Sequence, residues 1–143
     1  MRQSIALLTI AAGAVACQTA QRPDEAPGTA AGSTTLTLDR ASYAAGATAT
    51  MRITSQTRDT LGFNQCSSRS IERQEGSGWV PVPEPQRMCT MELRLLMPNE
   101  TQTANTDLPA TLSAGTYRMV LRLGRQSTQG GEVRAVSAPF RVS

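Results

Sequence analysis

The chain of 143 residues has no histidine and no lysine, so all fourteen of its basic residues are arginine. Without histidine, Ser-His-Asp and Cys-His arrangements are excluded, as are the usual zinc sites. The cysteines, Cys17, Cys66 and Cys89, include no C-x-x-C pair. Aromatic residues make up 3% of the chain, so its core is expected to be built from Leu, Met, Val, Ile and Ala. The formal charge of +3 is far from the clustered basic excess of a nucleic-acid binder. No glycine-rich phosphate loop precedes a helix, and Gly130-Gly131 reads as a hairpin turn. The eleven carboxylates are scattered, and the neighbours Glu72 and Glu75 read as solvent-facing charges. No catalytic residue, metal site or cofactor is implied.

What is present begins at the N-terminus. Arg2 supplies one positive charge, Ile5 to Val15 (IALLTIAAGAV) is apolar and uncharged, and Ala16-Cys17 follows. This is the order of a secretory signal, and the apolar run is about half the roughly 20 residues a spanning helix needs. Ala14-Val15-Ala16-Cys17 resembles the bacterial lipobox, although that pattern favours leucine where Ala14 stands. The resemblance implies cleavage after residue 16 and a diacylglycerol on Cys17. The alternatives are a plain signal cut after the same A-x-A motif and a buried apolar N-terminus. Lipidation of Cys17 accounts for the odd cysteine of an exported chain and leaves Cys66 and Cys89 as an even pair. An oxidising periplasm favours their disulfide; two separate buried thiols are the other reading.

Residues 17–33 read as the lipidated cysteine and a flexible linker, since Gln18 to Ser33 is rich in Ala, Gly, Pro and small polar residues. Gln18, where Asp would signal inner-membrane retention, favours the outer membrane in a two-membrane bacterium, facing the periplasm or the cell surface. The expected partners are the membrane, through the lipid, and an unidentified envelope protein or polymer.

From residue 34 to 143 a period of two recurs. Leu36 and Leu38, then Ala47 to Ile53, Leu61 and Phe63, Cys89 to Leu95, Tyr117 to Leu123, and Phe140 and Val142 each alternate with polar residues. Leu96 interrupts the fourth run. Ile71, Trp79, Val82 and the segment Thr101 to Leu108 suggest further strands. The pattern predicts an all-β protein, an antiparallel sandwich of about seven to nine strands. Leu112, Gly115 and Tyr117, as L-x-x-G-x-Y, resemble a tyrosine corner. Tyr43 with Gly46, Cys66, Gly78-Trp79-Val80, Cys89 and Gly115-Thr116-Tyr117-Arg118 follow in the order of the bacterial immunoglobulin-like domains at the ends of small lipoproteins, which the chain resembles. The resemblance implies an immunoglobulin-like sandwich and carries no chemistry.

Two surfaces are candidates for binding. Arg118, Arg122 and Arg141 are expected on the outward faces of paired strands, where they can form a basic patch or a solvated sheet face. Pro81-Val82-Pro83-Glu84-Pro85 is a stiff loop between the two cysteines. Asn99-Glu100-Thr101 matches a glycosylation sequon and reads as a turn. The function expected is a lipid-anchored, non-enzymatic envelope module with a structural or protein-interaction role. The alternative is a proteinase inhibitor using loops Gln86 to Met88 or Gly124 to Glu132, with an accessory subunit of an envelope enzyme as a third reading.

Overall fold

A computed structural model describes residues 33–85, 87–128 and 130–143. These residues form eleven strands and no helix: β1 (Thr34–Leu38), β2 (Ser42–Tyr43), β3 (Thr48–Ser55), β4 (Leu61–Phe63), β5 (Arg69–Glu75), β6 (Gly78–Pro81), β7 (Arg94–Leu96), β8 (Thr101–Asp107), β9 (Gly115–Arg125), β10 (Glu132–Val136) and β11 (Phe140–Val142). Cys17 and the segments 1–16 and 18–32, assigned above to a signal, an anchor and a linker, lie outside the described residues.

One sheet has the order β1-β3-β8. The other is built around β9, which pairs with β10 and β11 along one side and with β4 and β5 along the other. β7 pairs with β4, and β6 with β5, at its outer edge. At the opposite edge β2 adds in parallel to β11. The strands exceed the expected seven to nine because the chain breaks two long ones, between β4 and β5 and between β10 and β11.

Alternation decides the core. Leu36, Met51 and Ile53 from the smaller sheet meet Leu61, Phe63, Ile71, Met119, Leu121 and Leu123 from the larger, all buried. The outer face of the smaller sheet carries Thr35, Thr37, Thr48, Thr50, Thr54, Thr101 and Thr103, a β-branched row suited to a pleated surface. Hydrogen bonds join Thr48 to Asp107 (2.6 Å), Thr50 to Asn105 (3.0 Å) and Thr54 to Thr101 (2.9 Å) across its strands.

One expected face is reversed. Leu96, read above as an interruption, is fully buried, while Met91, Leu93 and Leu95 are exposed. The pairing explains it: Leu96 stands opposite Leu61, which faces the core, so residues one place away point out. Val120 also departs from simple alternation. It lies on the outer face yet is buried, between Ser70 and Val136 on the flanking strands.

The tyrosine corner forms: Tyr117 Oη donates to the Ser113 carbonyl at 2.7 Å. The earlier D-x-x-S-Y segment closes similarly. Tyr43 Oη donates to Asp39 Oδ1 at 2.7 Å and accepts from the Arg40 N–H at 3.1 Å, and Asp39 Oδ1 also accepts from the Thr50 N–H at 2.8 Å. The two tyrosines sandwich Phe140, edge-on at 5.5 Å to Tyr43 and stacked at 6.1 Å to Tyr117. In the β5–β6 hairpin Glu75 pairs with Gly78, leaving a two-residue turn whose first position, Gly76, has φ 59°. A side chain is strained there, and glycine is not.

Burial and the hydrogen bond to Asp39 push the Tyr43 hydroxyl from the usual 10.0 up to about 12. The folded state therefore holds this proton more tightly than the unfolded chain. The associated stability is fully present below pH 10 and is lost as pH rises toward 12. Urea unfolding midpoints are expected to fall over that window and to fall less in Tyr43→Phe. Equal pH dependence in both proteins contradicts the assignment.

Candidate functional site

β4 and β5 run along the same side of β9, but the chain between them is longer than β9 requires. Gly62 pairs with Gly124 and Arg69 with Leu121, so residues 63–68 stand against only 122 and 123. The surplus bulges out as a turn carrying Cys66. Asn64 organises it: Oδ1 accepts from the N–H groups of Cys66 (2.9 Å) and Ser67 (3.0 Å), and the Asn64 N–H donates to Ser68 Oγ (3.0 Å).

The connection from β6 to β7, residues 82–93, is held against this bulge at three places. Asn64 Nδ2 donates to the carbonyls of Thr90 (2.6 Å) and Glu92 (2.8 Å). Cys66 and Cys89 form a disulfide with Cα atoms 5.6 Å apart. The pairing is the expected one, and it ties two loops at one edge of a single sheet. The third hold is an ion pair: Arg69 Nη2 lies 3.0 Å from Glu84 Oε2. Arg87 shares that carboxylate.

Arg69 is the least expected member. It stands opposite Leu121 on the core side of its strand, and its side chain is fully buried. Its Nε and Nη1 have no hydrogen-bond partner among the described residues. Its position two residues before Ile71 is the one sequence signal that could have placed it inward, since a period of two puts both on one face. Glu84, inside the proline-rich segment, is the counter-charge that makes this burial tolerable. Burial pushes its carboxyl up, while the two guanidinium groups lie against it.

Between the bulge, the pinned loop and the end of β8 lies an open cleft of about 450 Å³. Its walls carry Glu84, Arg87, Glu92 and Asp107, with Leu108 and Pro109 as apolar surface. Groups of both signs beside carboxamides suit a polar chain segment. No group of three or more Cys, Asp or Glu among the described residues could hold a metal ion.

Arg118, Arg122 and Arg141 stand on one outer face of the larger sheet. Arg118 and Arg122 lie on β9, and Arg141 on β11 opposite Thr116. Arg118 lies 4.5 Å over the Trp79 ring and donates through Nε to Glu72 at 2.6 Å. Arg134, not singled out in the sequence, donates to the other Glu72 oxygen at 2.9 Å and pairs in register with Arg122. Arg122 Nε is 4.0 Å from Glu132, and Arg141 has no ion-pair partner among the described residues. Glu72 is thus no simple solvated charge. Burial alone would raise its carboxyl, but the hydrogen bonds from Arg118 and Arg134 outweigh that and hold it below the usual range. Glu75 is exposed, as expected.

Of the loops considered for protease inhibition, Gln86 lies outside the described residues, whereas Arg87 and Met88 are exposed. Gly124 and Arg125 belong to β9 and Glu132 to β10, so only the turn between them projects.

Two facing sheets, a tyrosine corner and a first-edge strand shared in parallel with the last define an immunoglobulin-like β-sandwich. A family model described as bacterial Ig-like domain matches residues 31–141, and the chain belongs to that family. No curated protein matches it. Among solved structures it is similar to neutral ceramidase from Pseudomonas aeruginosa, at 12% identity and TM-score 0.44 over 81% of this chain and 20% of that one. It is also similar to the sporulation control protein Spo0M from Bacillus subtilis, at 12% identity and TM-score 0.45 over 80% of this chain and 50% of the other. A PapD-like domain of human CEP192 matches at 9% identity and TM-score 0.34, over 87% and 96% of the two chains. The chain thus spans about a fifth and a half of the first two.

Glu84→Ala is expected to destabilise the fold by about 3 kcal/mol, because it strands the buried Arg69 charge. Arg69→Met combined with Glu84→Leu is expected to recover most of that loss. Additive losses in urea denaturation would show that the pair is not coupled. Cys66→Ala with Cys89→Ala is expected to cost about 3 kcal/mol for a loop of this length, read as a lower unfolding midpoint.

Proposed function

We propose that this protein is a lipid-anchored, non-enzymatic module of the bacterial cell envelope that presents its immunoglobulin-like domain to another envelope component. Cys17 carries the lipid, and residues 18–33 form the tether. The observation that carries the reading is the use of the cysteines. Cys66 and Cys89 are joined within the domain. Cys17 is therefore the odd one, directly behind an apolar run and Ala16. A half-buried disulfide at the sheet edge also suits an oxidising compartment. Gln18 favours the outer membrane.

The interaction role follows from family membership and from the cleft beside the pinned loop. The loop is fixed before any partner arrives, so binding there loses little conformational entropy. An envelope protein or polymer offering a polar, hydrogen-bonding segment is the partner this cleft suits. Arg122 and Arg141 supply additional positive charge on the neighbouring sheet face.

The decisive measurement is the intact mass of the protein from the membrane fraction, before and after reduction and alkylation. A mass beginning at Cys17 with acyl chains added, and two thiols appearing only on reduction, is the expected result. A chain without acyl groups removes the anchor and turns the reading toward a freely secreted protein. With the anchor established, crosslinking in intact cells is expected to trap its partner through the cleft, and Arg87→Glu is expected to weaken that product.

A further inference from the structure

Among the described residues, five of the six large apolar side chains that stand exposed fall within one ten-residue stretch. Met88 and Met91 are entirely exposed, Leu93 is 58% exposed, Leu95 46% and Met97 51%. They run along β7, an outer strand of the larger sheet, and along its lead-in from the disulfide. Leu95 stands opposite Gly62, and a side chain at Gly62 would meet the Gln126 carboxamide first and then Leu93 Cδ1 at 3.1 Å. The row therefore lies on the outer side of the sheet, with Leu93 and the Gln126 side chain covering Gly62. The nearby charges cancel: Glu92 pairs with Arg94, and Arg87 with Glu84. What remains is an apolar stripe, three of its five side chains methionine, whose flexibility lets them adapt to an irregular or fluid surface.

The place where the described chain begins gives this stripe an occupant. Ser33, the first described residue, accepts at its carbonyl from the Gln56 N–H at 2.9 Å. Next to it, the Ser55 N–H donates to the Glu100 carbonyl (2.9 Å), and the Glu100 N–H to the Met97 carbonyl (3.1 Å). The preceding segment thus enters the domain at the end where the stripe finishes. Fifteen residues, Gln18 to Gly32, separate Cys17 from that entry point. As a flexible coil they span about 20–25 Å, so a lipid on Cys17 keeps the stripe next to the bilayer. Tethering raises the effective concentration of a weak surface contact, and a small apolar edge is then enough to hold it.

We propose that the stripe from Met88 to Met97 is a membrane-contacting edge, which lays the domain against the lipid surface to which Cys17 is fastened and leaves the threonine-rich sheet free. This rests on the anchored reading above and adds an orientation to it.

The methionines supply the test. Cys17 is the only thiol outside the disulfide, so the chain from Cys17 onward, which includes every described residue, can be coupled to maleimide-bearing phosphatidylethanolamine in phosphatidylcholine vesicles. Coupled and uncoupled chains are treated with chloramine-T, a charged oxidant that lipid excludes, and sulfoxide is located by peptide mass spectrometry. An edge occupied about nine-tenths of the time oxidises about tenfold more slowly, so this slowing is expected at Met88, Met91 and Met97 on vesicles. Met51 and Met119, both fully buried, are expected to resist in both states and report an intact fold. Leu93→Glu with Leu95→Glu is expected to restore the solution rate at the three exposed methionines while Met51 and Met119 stay protected.

Equal oxidation on vesicles and in solution overturns the proposal. Protection of the uncoupled chain without lipid, rising with protein concentration, also overturns it and assigns the edge to a second copy. The coupling replaces the natural anchor. An unacylated Cys17 in cells therefore overturns the anchored reading alone, and the methionine rates still decide membrane contact.

Discussion

The hydrogen bonding of β9 constrains nearly everything else in this protein. Its eleven residues pair with four strands, and each pairing fixes a register. Because side chains alternate, those registers decide at once that Met119, Leu121 and Leu123 point inward and that Arg118 and Arg122 point outward. Tyr117 locks the entry to the strand through its bond to Ser113. The bulge exists because β4 and β5 must both keep register with β9 over a longer piece of chain. The disulfide, the Asn64 hydrogen bonds and the buried Arg69 all sit on that bulge or beside it. The cleft is therefore a by-product of fitting a surplus loop to a straight strand.

Much of this architecture was legible in the residues. The alternations at Ala47 to Ile53 and Tyr117 to Leu123 pointed to the two central strands, because a buried face tolerates few polar residues. The tyrosine corner was visible as L-x-x-G-x-Y because its geometry is local. Less visible were features that depend on a partner distant in sequence. At residues 91–96 apolar side chains fall on both phases, so only the pairing of Leu96 with Leu61 decides which phase is buried. Glu72 looked like an ordinary surface charge because its arginines arrive from β9 and β10, 46 and 62 residues away. Arg69 could be placed inward by its spacing from Ile71, but nothing nearby in sequence announces Glu84 as its counter-ion. Local chemistry reads well from a single chain; contacts that close long loops do not.

An all-arginine basic set shapes the electrostatics. Arg118 stacks on Trp79 while gripping Glu72, and Arg69 reaches Glu84 from within the core. A planar, weakly hydrated guanidinium can do both, whereas an ammonium group is a strongly hydrated point charge. Accessible charges remain in the cleft and at the end of the arginine face around Arg122 and Arg141, as well as at Arg52, Arg58 and Glu75. The apolar stripe of β7 lies beside the cleft, at the edge of the sheet opposite Arg141. A partner in the cleft and a lipid surface along the stripe would thus meet the domain on adjoining sides.

The parallel pairing of β2 with β11 joins Ser42 to Arg141, about a hundred residues apart. Contacts of such long range are formed late, because the chain entropy of closing them must be overcome before they contribute. Phe140, clasped between Tyr43 and Tyr117, arrives on the same strand. Until β11 is in place, the two tyrosines lack the ring between them and the sandwich stays open along one edge. Folding therefore closes like a zipper whose last tooth is β11, set about a hundred residues after the strand it must meet.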